Sequence, residues 1–441
     1  MRVLGLALCV AWLGCGTGAP SPQNLLLVTF DTTRADHVAG FGGSPQTTPT
    51  IAGLAMRSAV FVEARSESNS TNPSHVSIMS GLPLRAHGVA NNYTRLPEAV
   101  DTLPEAFARA GFETAGFVAV THVGERLGWR GFERLASPES RFVAREVTDR
   151  AVAWLAQRTP RPFFLWVHYF DPHMTYQASP DTARAFYQGD PRAGDGPPIR
   201  EWPDYRASVR PDAFNRWLHD VRDPAWPRAM YAAALHEADA ALARLLDAVP
   251  RDTTAVILAA DHGESLGEHG VFYDHVGLYE QQLRIPLLVH LPGAPPTRSA
   301  LDVTTLDLAP TVVALFGLEL GHDLPGRSLL PVVQGGFDAG LAARTRFVHE
   351  HAHHSGAALR EGDWKLVWQR EPTRLLGSGL QLFHLGRDPD EQHDLTTREP
   401  ERLASMLARL AALAPPPEPG TVRTPDPETR DRLRALGYLE P

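Results

Sequence analysis

The chain has 441 residues, of which 43% are hydrophobic and 21% charged, enough for a large core in one big domain, alone or with a smaller one. Its formal net charge of −9 offers no basic surface that could follow a phosphate backbone, so nucleic acid is excluded as the expected partner.

The first residues have the form of an export signal. The apolar stretch 3–13 is shorter than the ~20 residues of a membrane-spanning helix and is typical of a secretory signal. Its Leu-Gly-Cys ending at Cys15 resembles a bacterial lipoprotein signal, whose cysteine is lipidated. We predict a signal peptide over 1–15, a spacer over 16–23 and an exported protein, periplasmic or anchored to the membrane as a lipoprotein. An unmodified Cys15 and soluble periplasmic export are the alternatives.

Four apolar runs have the composition of buried strands. They span residues 24–30, 114–120, 162–169 and 255–260. Helical patterns lie between them, at 100–110, 144–158 and 227–249. This alternation predicts a parallel sheet covered by helices, an α/β sandwich. Because ligands bind at the carboxyl ends of such strands, the polar residues that follow the runs are the first site candidates.

The rest of the chain divides into an insertion and a C-terminal part. Residues 188–227 are rich in Pro, Asp, Arg and Trp, which predicts a long insertion over one face of the site. Two strands and a helix are then expected at 365–369, 380–385 and 400–413. We therefore predict a catalytic domain over 24–335 and a small α+β subdomain over 336–441, with a tether at 415–424 and a docking tail at 430–439.

Asp31 ends the first apolar run and is followed by Arg34, Asp36 and His37. A carboxylate that a buried strand delivers into a loop suits a divalent cation. Asp31-Thr32-Thr33 is equally a good helix-capping sequence, so this cluster alone leaves both interpretations open.

Thr71 begins the segment Thr-Asn-Pro-Ser-His, which ends at His75. Its proline predicts a helix start, where an anion would meet free amide groups. Threonine is a weak nucleophile and needs a metal ion or a base to activate it. The alternative is that Thr71 and Ser74 only cap a helix.

The strongest local signal is Asp261-His262 directly after the last apolar run. Oxygen and nitrogen ligands together suit Zn²⁺ or Mn²⁺. The alternative is a charged surface loop.

Further histidines fall into two groups. His173, just after Asp171, and His275 could be ligands, oxyanion donors or a general acid, although each alone could be structural. The second group is a histidine-rich patch at 349–354, which we interpret as an exposed loop or interface feature rather than a metal site.

Taken in order, these segments resemble the sulfatase family of the alkaline-phosphatase superfamily over residues 24–439. The matching stretches include VTFDTTRADHVAGFG, TNPSHVSIMSGLPLRAHGV, FFLWVHYFDPHMTY, DHGESLGEHGVFYDHVGLYEQQLRIPLLVHLPG, LDLAPTVVALFGLELGHDLPGRSL and REGDWKLVW. The resemblance implies a large mixed sheet between helices and a small C-terminal α+β subdomain. It places Asp31, Asp261 and His262 at metal-ligand positions.

The same resemblance puts Thr71 at the nucleophile position, but sulfatases carry Cys or Ser there and convert it to formylglycine, and threonine is not a substrate for that conversion. The arginine of the family signature is His75 here, the second aspartate of its first metal motif is Thr32, and the lysine before His275 is Asp274. Several sulfate-binding cations are thus missing. A threonine beside DHGESLGE also resembles phosphoethanolamine transferases and phosphodiesterases of the superfamily.

We therefore predict a metal-dependent ester hydrolase that favours phosphoesters or phosphodiesters over sulfate esters. One or two divalent ions, from Zn²⁺, Mn²⁺, Ca²⁺ or Mg²⁺, would be bound by Asp31, Asp261, His262 and Thr71, and Thr71 would attack. The predicted catalytic residues are Thr71, His75, His173 and His275. The expected substrate is a small anionic ester, free or linked to a glycan or lipid. The alternatives are a sulfatase and a catalytically silent protein that binds anionic glycans or lipids.

Overall fold

The computed structural model describes residues 22–203, 205, 211–352, 355–371 and 376–415. The predicted signal peptide with Cys15, most of the spacer, all but the first residue of the tether, and the tail lie outside the described residues, as do His353 and His354. No helix within the described ranges is long and apolar enough to cross a membrane.

Fourteen strands are present in the described part of the chain. They are β1 (Asn24–Phe30), β2 (Ala59–Arg65), β3 (Glu113–Val118), β4 (Arg134–Ala136), β5 (Phe163–Tyr169), β6 (Thr254–Ala260), β7 (Ser265–Leu266), β8 (Phe272–Asp274), β9 (Leu287–His290), β10 (Thr297–Thr304), β11 (Arg346–Glu350), β12 (Gly356–Glu361), β13 (Trp364–Gln369) and β14 (Gly379–His384).

The same ranges contain thirteen α-helices. They are α1 (Pro49–Ala55), α2 (Thr71–Ser80), α3 (Leu84–His87), α4 (Leu103–Arg109), α5 (Ala144–Gln157), α6 (Pro180–Phe186), α7 (Pro211–Leu218), α8 (Ala225–Ala248), α9 (Glu280–Leu283), α10 (Leu308–Phe316), α11 (Leu330–Val333), α12 (Ala339–Ala343) and α13 (Pro400–Leu413).

The central sheet has eight strands in the order β10-β2-β9-β6-β1-β5-β3-β4, and only β9 runs antiparallel to its neighbours. Strand β1 lies between β5 and β6, with Phe30 in register with Tyr169 and Ala260. All three strands are fully buried. This confirms the predicted α/β sandwich, and it brings Asp31 and Asp261 to the same sheet edge.

The predicted element bounds are confirmed to within a few residues. Helix α4 begins three residues later than the pattern suggested, because Thr102 and Glu105 form a capping box at its first turn. The predicted insertion is not wholly irregular, since it contains α7 and the start of α8. Its buried residues join a second apolar core with the segment around Tyr176 and the β7-β8 hairpin.

Strands β11 to β14 form a separate antiparallel sheet that packs against α13. Strands β13, β14 and α13 match the predicted elements, whereas β11 and β12 were not predicted. The interpretation of the histidine-rich patch as an exposed loop is wrong for His349 and His351, which are 1% and 5% exposed, because β11 packs against residues 66–69. The boundary at residue 335 stays a prediction.

A buried ion network joins the two sheets. Lys365, the single lysine of the chain, lies on β13 and contacts Glu280 at 2.9 Å and Glu391 at 2.8 Å. Glu280 also binds Arg65, which ends β2, at 2.7 Å. Because each buried charge here has an opposite partner, the contacts fix the relative position of the two sheets.

Candidate active site

Three predicted metal ligands meet at the carboxyl end of the central sheet. Asp31 follows β1, and Asp261 and His262 follow the neighbouring β6. All three side chains are completely buried, and their ligand atoms lie within 4.8 Å of one another. Parallel register alone explains this convergence, because adjacent strands end side by side.

The hydrogen bonds of these residues leave one ligand atom of each without a partner. Asp261 Oδ1 accepts from the amides of Thr32 and His262 at 3.2 and 2.7 Å, while His262 Nδ1 donates to the Gly263 carbonyl at 2.9 Å. Asp31 Oδ1, Asp261 Oδ2 and His262 Nε2 are buried without a hydrogen-bond partner among the described residues. Because unpaired buried polar atoms are costly, such a set fits a divalent cation.

The pKa directions agree with a ligand set of this kind. Burial lowers the pKa of His262 to about 3, so its imidazole is neutral and its Nε2 lone pair is available. Burial and the charge of Asp31 raise the pKa of Asp261 well above its usual range. The pKa of Asp31 is lowered overall. Burial alone would raise this pKa, but the hydrogen bond from His168 and the nearby imidazoles have the larger, opposite effect. Two buried carboxylates this close need a cation before both can be ionised.

Thr71 is the first residue of α2 and is almost fully buried. Its Oγ1 donates to Asp31 Oδ2 at 3.2 Å, so the candidate nucleophile touches a candidate metal ligand. The expected free amides of this helix start are mostly occupied: the Asn72 amide donates to Asn92 Oδ1 at 2.8 Å, and that of Ser74 to the Ser70 carbonyl at 3.0 Å. Pro73 has no amide hydrogen. Of the first four residues of α2, only Thr71 is therefore left with an amide that could face an anion.

His75 is bonded on both ring nitrogens. Nδ1 donates to the Thr71 carbonyl at 2.7 Å, and Nε2 accepts from Thr29 Oγ1 at 2.9 Å. The Thr29 hydroxyl in turn accepts from Trp166 Nε1 at 3.0 Å. Burial lowers the pKa of His75 to about 3. This geometry gives His75 a supporting position beneath Thr71 and distinguishes it from the other predicted catalytic histidines.

His168 belongs to the site but was missed in the sequence, where it is hidden within the apolar run of β5. Its ring is completely buried, and Nε2 donates to Asp31 Oδ2 at 3.2 Å. A lone polar residue within FFLWVHY is the signal that could have revealed it. His75, His168 and Asp261 form a second cluster of metal-ligand type, but His75 has no nitrogen left to coordinate with, so one cation site fits better than two.

His173 and His275 lie half-buried beside this centre. His173 Nδ1 donates to the Met174 carbonyl and His275 Nδ1 to the Asn69 carbonyl, both at 2.7 Å. The ring of His275 is 4.5 Å from that of His262 and 5.6 Å from that of His173, between centroids. Burial lowers the pKa of His173 well below its usual value. Both rings therefore keep Nε2 for a substrate or a ligand.

Two permanent cations, Arg34 and Lys365, are paired with carboxylates outside the candidate ligand set. Arg34 binds Asp36 at 2.7 Å and Glu268 at 2.9 Å, which holds the two ligand-bearing loops together. These contacts also place Arg34 and Asp36 outside the candidate metal set. Lys365 is buried in the network between the sheets, so no lysine of the chain can reach a substrate here.

Comparison with protein families gives two matches. The sulfatase family matches residues 23–318, and the C-terminal family of N-sulphoglucosamine sulphohydrolase matches residues 267–413. Among curated relatives, Delta 4,5-hexuronate-2-O-sulfatase of Bacteroides thetaiotaomicron is 24% identical over 93% of this chain and 91% of its own. Choline-sulfatase of Rhizobium meliloti is 26% identical over 89% of this chain and 86% of its own.

Solved structures share the fold at lower identity. The phosphonate monoester hydrolase of Agrobacterium radiobacter has a TM-score of 0.69 and 19% identity, covering 89% of this chain and 95% of its own. A protein in complex with its substrate D-glucosamine-2-N,6-O-disulfate has a TM-score of 0.71 and 20% identity, covering 91% and 99%. Both similarities concern the overall architecture.

Proposed function

Because the chain belongs to the sulfatase family and is an ester hydrolase, we propose that it is a metal-dependent hydrolase of phosphoesters, with Thr71 as its nucleophile. The observation that carries the proposal is the position of Thr71 Oγ1. It contacts Asp31 at 3.2 Å, next to three buried ligand atoms that accept or donate no hydrogen bond within the described part of the chain.

Asp31, Asp261 and His262 would hold the cation. Two carboxylates and one imidazole favour Zn²⁺ or Mn²⁺ over Ca²⁺ or Mg²⁺, which prefer oxygen ligands throughout. A bound divalent ion would lower the pKa of the Thr71 hydroxyl and withdraw charge from the attacked group.

The first displacement would be carried by Thr71. Its Oγ1 bonds to phosphorus, and its proton passes to solvent water, since a bound divalent ion would lower the pKa of the hydroxyl. Asp31 Oδ2, whose own pKa is shifted downward, would orient the hydroxyl through its hydrogen bond. The bond from phosphorus to the leaving oxygen breaks, and that oxygen takes up one proton. Water then cleaves the threonine ester and restores the hydroxyl, so the net reaction consumes one water and releases an alcohol and a phosphate product.

His275 is the stronger candidate for protonating the leaving oxygen. Its Nδ1 hydrogen is bonded to the Asn69 carbonyl, so Nε2 is the ring atom that would face the leaving oxygen. Burial lowers the pKa of His173 well below its usual value, so His173 suits hydrogen-bond acceptance rather than proton donation. His75 would support the Thr71 carbonyl from below.

Charge balance favours esters with a single negative charge. The charges of Asp31 and Asp261 cancel those of one divalent ion, and the chain's only lysine is buried between Glu280 and Glu391. A monoanionic phosphodiester would therefore bind to the cation through its one negative charge. A dianionic ester would bring a second negative charge that has no cationic partner in the site. The replacement of the formylglycine-forming residue by Thr71 supports phosphorus over sulfur.

Sulfate monoesters are the second candidate, since they also carry one charge. The 24% identity to Delta 4,5-hexuronate-2-O-sulfatase over 93% of this chain favours them. That relative and the disulfated glucosamine complex also motivate a glycan-linked substrate for this chain.

The test is a substrate panel with metal analysis. The purified protein would be assayed with bis-aryl phosphate, aryl phosphonate, aryl phosphate and aryl sulfate, beside an Asp261→Asn variant. Asp239→Asn is the matched control, because Asp239 is also buried but caps α1 at the Thr50 and Ile51 amides. We expect bound metal and fastest turnover of the diester, both lost only in Asp261→Asn. Turnover of sulfate alone would establish the sulfatase, and bound metal without any turnover would support the silent binder.

We also propose that the protein is exported and anchored through Cys15. Labelling cells with a palmitate analogue should mark the wild-type chain and not Cys15→Ser. Export without labelling would leave a soluble periplasmic enzyme.

A further inference from the structure

Asn69 lies two residues before Thr71 and is almost fully buried, with 2% of its surface exposed. Its Nδ2 donates to the His275 carbonyl at 2.7 Å, and its Oδ1 accepts from the Ala352 amide at 3.0 Å. A carbonyl can only accept and an amide can only donate, so the orientation of this carboxamide is uniquely defined. No carboxylate or hydrocarbon could satisfy both partners.

The backbone of Asn69 acts on the same histidine. Its carbonyl accepts from His275 Nδ1 at 2.7 Å. This bond selects the tautomer with hydrogen on Nδ1 and leaves Nε2 for the site. Asn69 thus holds both the main chain and the ring of His275, whose ring lies 4.5 Å from that of His262.

The third partner comes from the far end of the chain. Ala352 is 283 positions from Asn69 and follows β11 of the C-terminal sheet. This strand lies along the segment that leads to Thr71: the Glu350 amide donates to the Glu67 carbonyl at 2.9 Å, and His349 Nδ1 donates to the Ser66 carbonyl at 2.8 Å. The Gly277 amide, two residues beyond His275, donates to His351 Nε2 at 3.2 Å.

These contacts surround the two groups that the mechanism needs to align. The segment 66–69 is bonded to β11 and to the turn of His275. Asn69 connects the two sides, because it bonds to Ala352, just after β11, and to His275. Since the segment continues directly into Thr71, a displacement of either partner would move the nucleophile relative to the proton donor. Misplacement of such groups by about 1 Å lowers rates strongly.

We propose that Asn69 is a positioning residue, which fixes the tautomer and orientation of His275 and makes the C-terminal sheet part of the active-site framework. Its kinetic consequence rests on the proposed function. The tautomer of His275 can be measured without any turnover, so the two ideas can fail separately.

The decisive variant is Asn69→Asp, which keeps the shape and the acceptor for Ala352 but sets a carboxylate oxygen against the His275 carbonyl. The matched control is Asn24→Asp. Asn24 is also buried, 4% exposed, and its amide bonds to Thr253 and to the Phe163 nitrogen at the opposite end of the sheet from the site. Both variants lose a comparable buried donor, and only one of them touches His275.

Two readouts are needed on the full-length chain. Long-range ¹H–¹⁵N spectra of ¹⁵N-histidine protein, with His275 assigned through His275→Gln, report its tautomer. We expect hydrogen on Nδ1 in the wild type and in Asn24→Asp. In Asn69→Asp the backbone carbonyl of residue 69 remains, but the carboxylate repels the His275 carbonyl and displaces the His275 turn from it, so we expect a mixture of tautomers. Steady-state assays should show kcat lowered about tenfold or more in Asn69→Asp, within the range of outer-sphere residues, with KM nearly unchanged.

The inference is overturned if His275 keeps its wild-type tautomer in Asn69→Asp, or if both Asn variants lose kcat equally in proportion to their lowered Tm. If the wild type hydrolyses no ester, the proposed function fails, and the spectra still decide whether Asn69 controls His275.

Discussion

Replacing Thr71 by valine tests the nucleophile with the least disturbance of shape. Valine exchanges Oγ1 for a methyl group of similar size in a site that is already buried. Asp31 Oδ2 then loses one donor but keeps His168 Nε2 at 3.2 Å. Loss of one hydrogen bond to a charged acceptor should cost about 1.5–3 kcal/mol of unfolding free energy, so the variant should fold.

Its turnover should fall far more than its stability. Without Oγ1 no threonine ester can form, and we expect kcat to drop at least ~10³-fold, about 4 kcal/mol of activation free energy. Metal content should be unchanged, because Asp31 Oδ1, Asp261 Oδ2 and His262 Nε2 are untouched. Thr71→Ser is the control: it keeps the hydroxyl and should stay within about tenfold of wild type.

The assay is bis-aryl phosphate hydrolysis at saturating substrate, with metal measured by mass spectrometry on the same samples. Intact mass would verify that the serine variant carries no formylglycine. The nucleophile assignment is refuted if the valine variant retains metal and turns over within tenfold of wild type, since water would then attack directly.

Three further predictions concern buried charges. Burial raises the pKa of Glu67 to about 8 from an ordinary 4.5; stability is therefore greatest below the ordinary value and lost as pH rises toward 8. At pH 8 to 9, Glu67→Gln should raise Tm and increase the free energy of unfolding by up to about 5 kcal/mol. At pH 5 it should change neither quantity much, and exposed Glu98→Gln should change neither at any of these pH values. His168→Gln should weaken metal binding about 10- to 100-fold by competition titration, with His322→Gln as an inert control; equal affinities would contradict the role given to the Asp31 contact. Lys365→Met removes the cationic partner of the buried Glu391 and leaves Glu280 with Arg65 alone, which should cost about 3–5 kcal/mol in denaturant unfolding; a change under 1 kcal/mol would show that the network is not stabilising.

The main elements of the fold could be predicted because their signals are local. The run 24–30 is apolar throughout, as a strand buried on both faces must be, and Pro73 lies where α2 begins. Strands β11 and β12 were missed, because Arg, His and Glu interrupt their apolar residues. Their burial depends on packing against β13, α13 and the segment 66–69.

The candidate site divides in the same way. Asp31, Asp261 and His262 could be named because each directly follows a recognisable strand. His168 could not be named from the sequence. It reaches Asp31 only because β5 lies beside β1, with His168 in register with Thr29. His75 was predicted to act on substrate, but the hydrogen bonds to Thr71 and Thr29 occupy both its nitrogens.

The sequence by itself determined the strands and helices that have clear local patterns, and the residue types at the sheet edge, because periodicity and chain order are local properties. Only the tertiary structure decided which atoms of those residues are already bonded and which face the site. Hydrogen-bond partners such as Asn69 and Ala352 are 283 positions apart, and burial makes each unpaired ligand atom costly enough to imply a cation. Which polar atoms have hydrogen-bond partners, and which do not, depends on three-dimensional contacts.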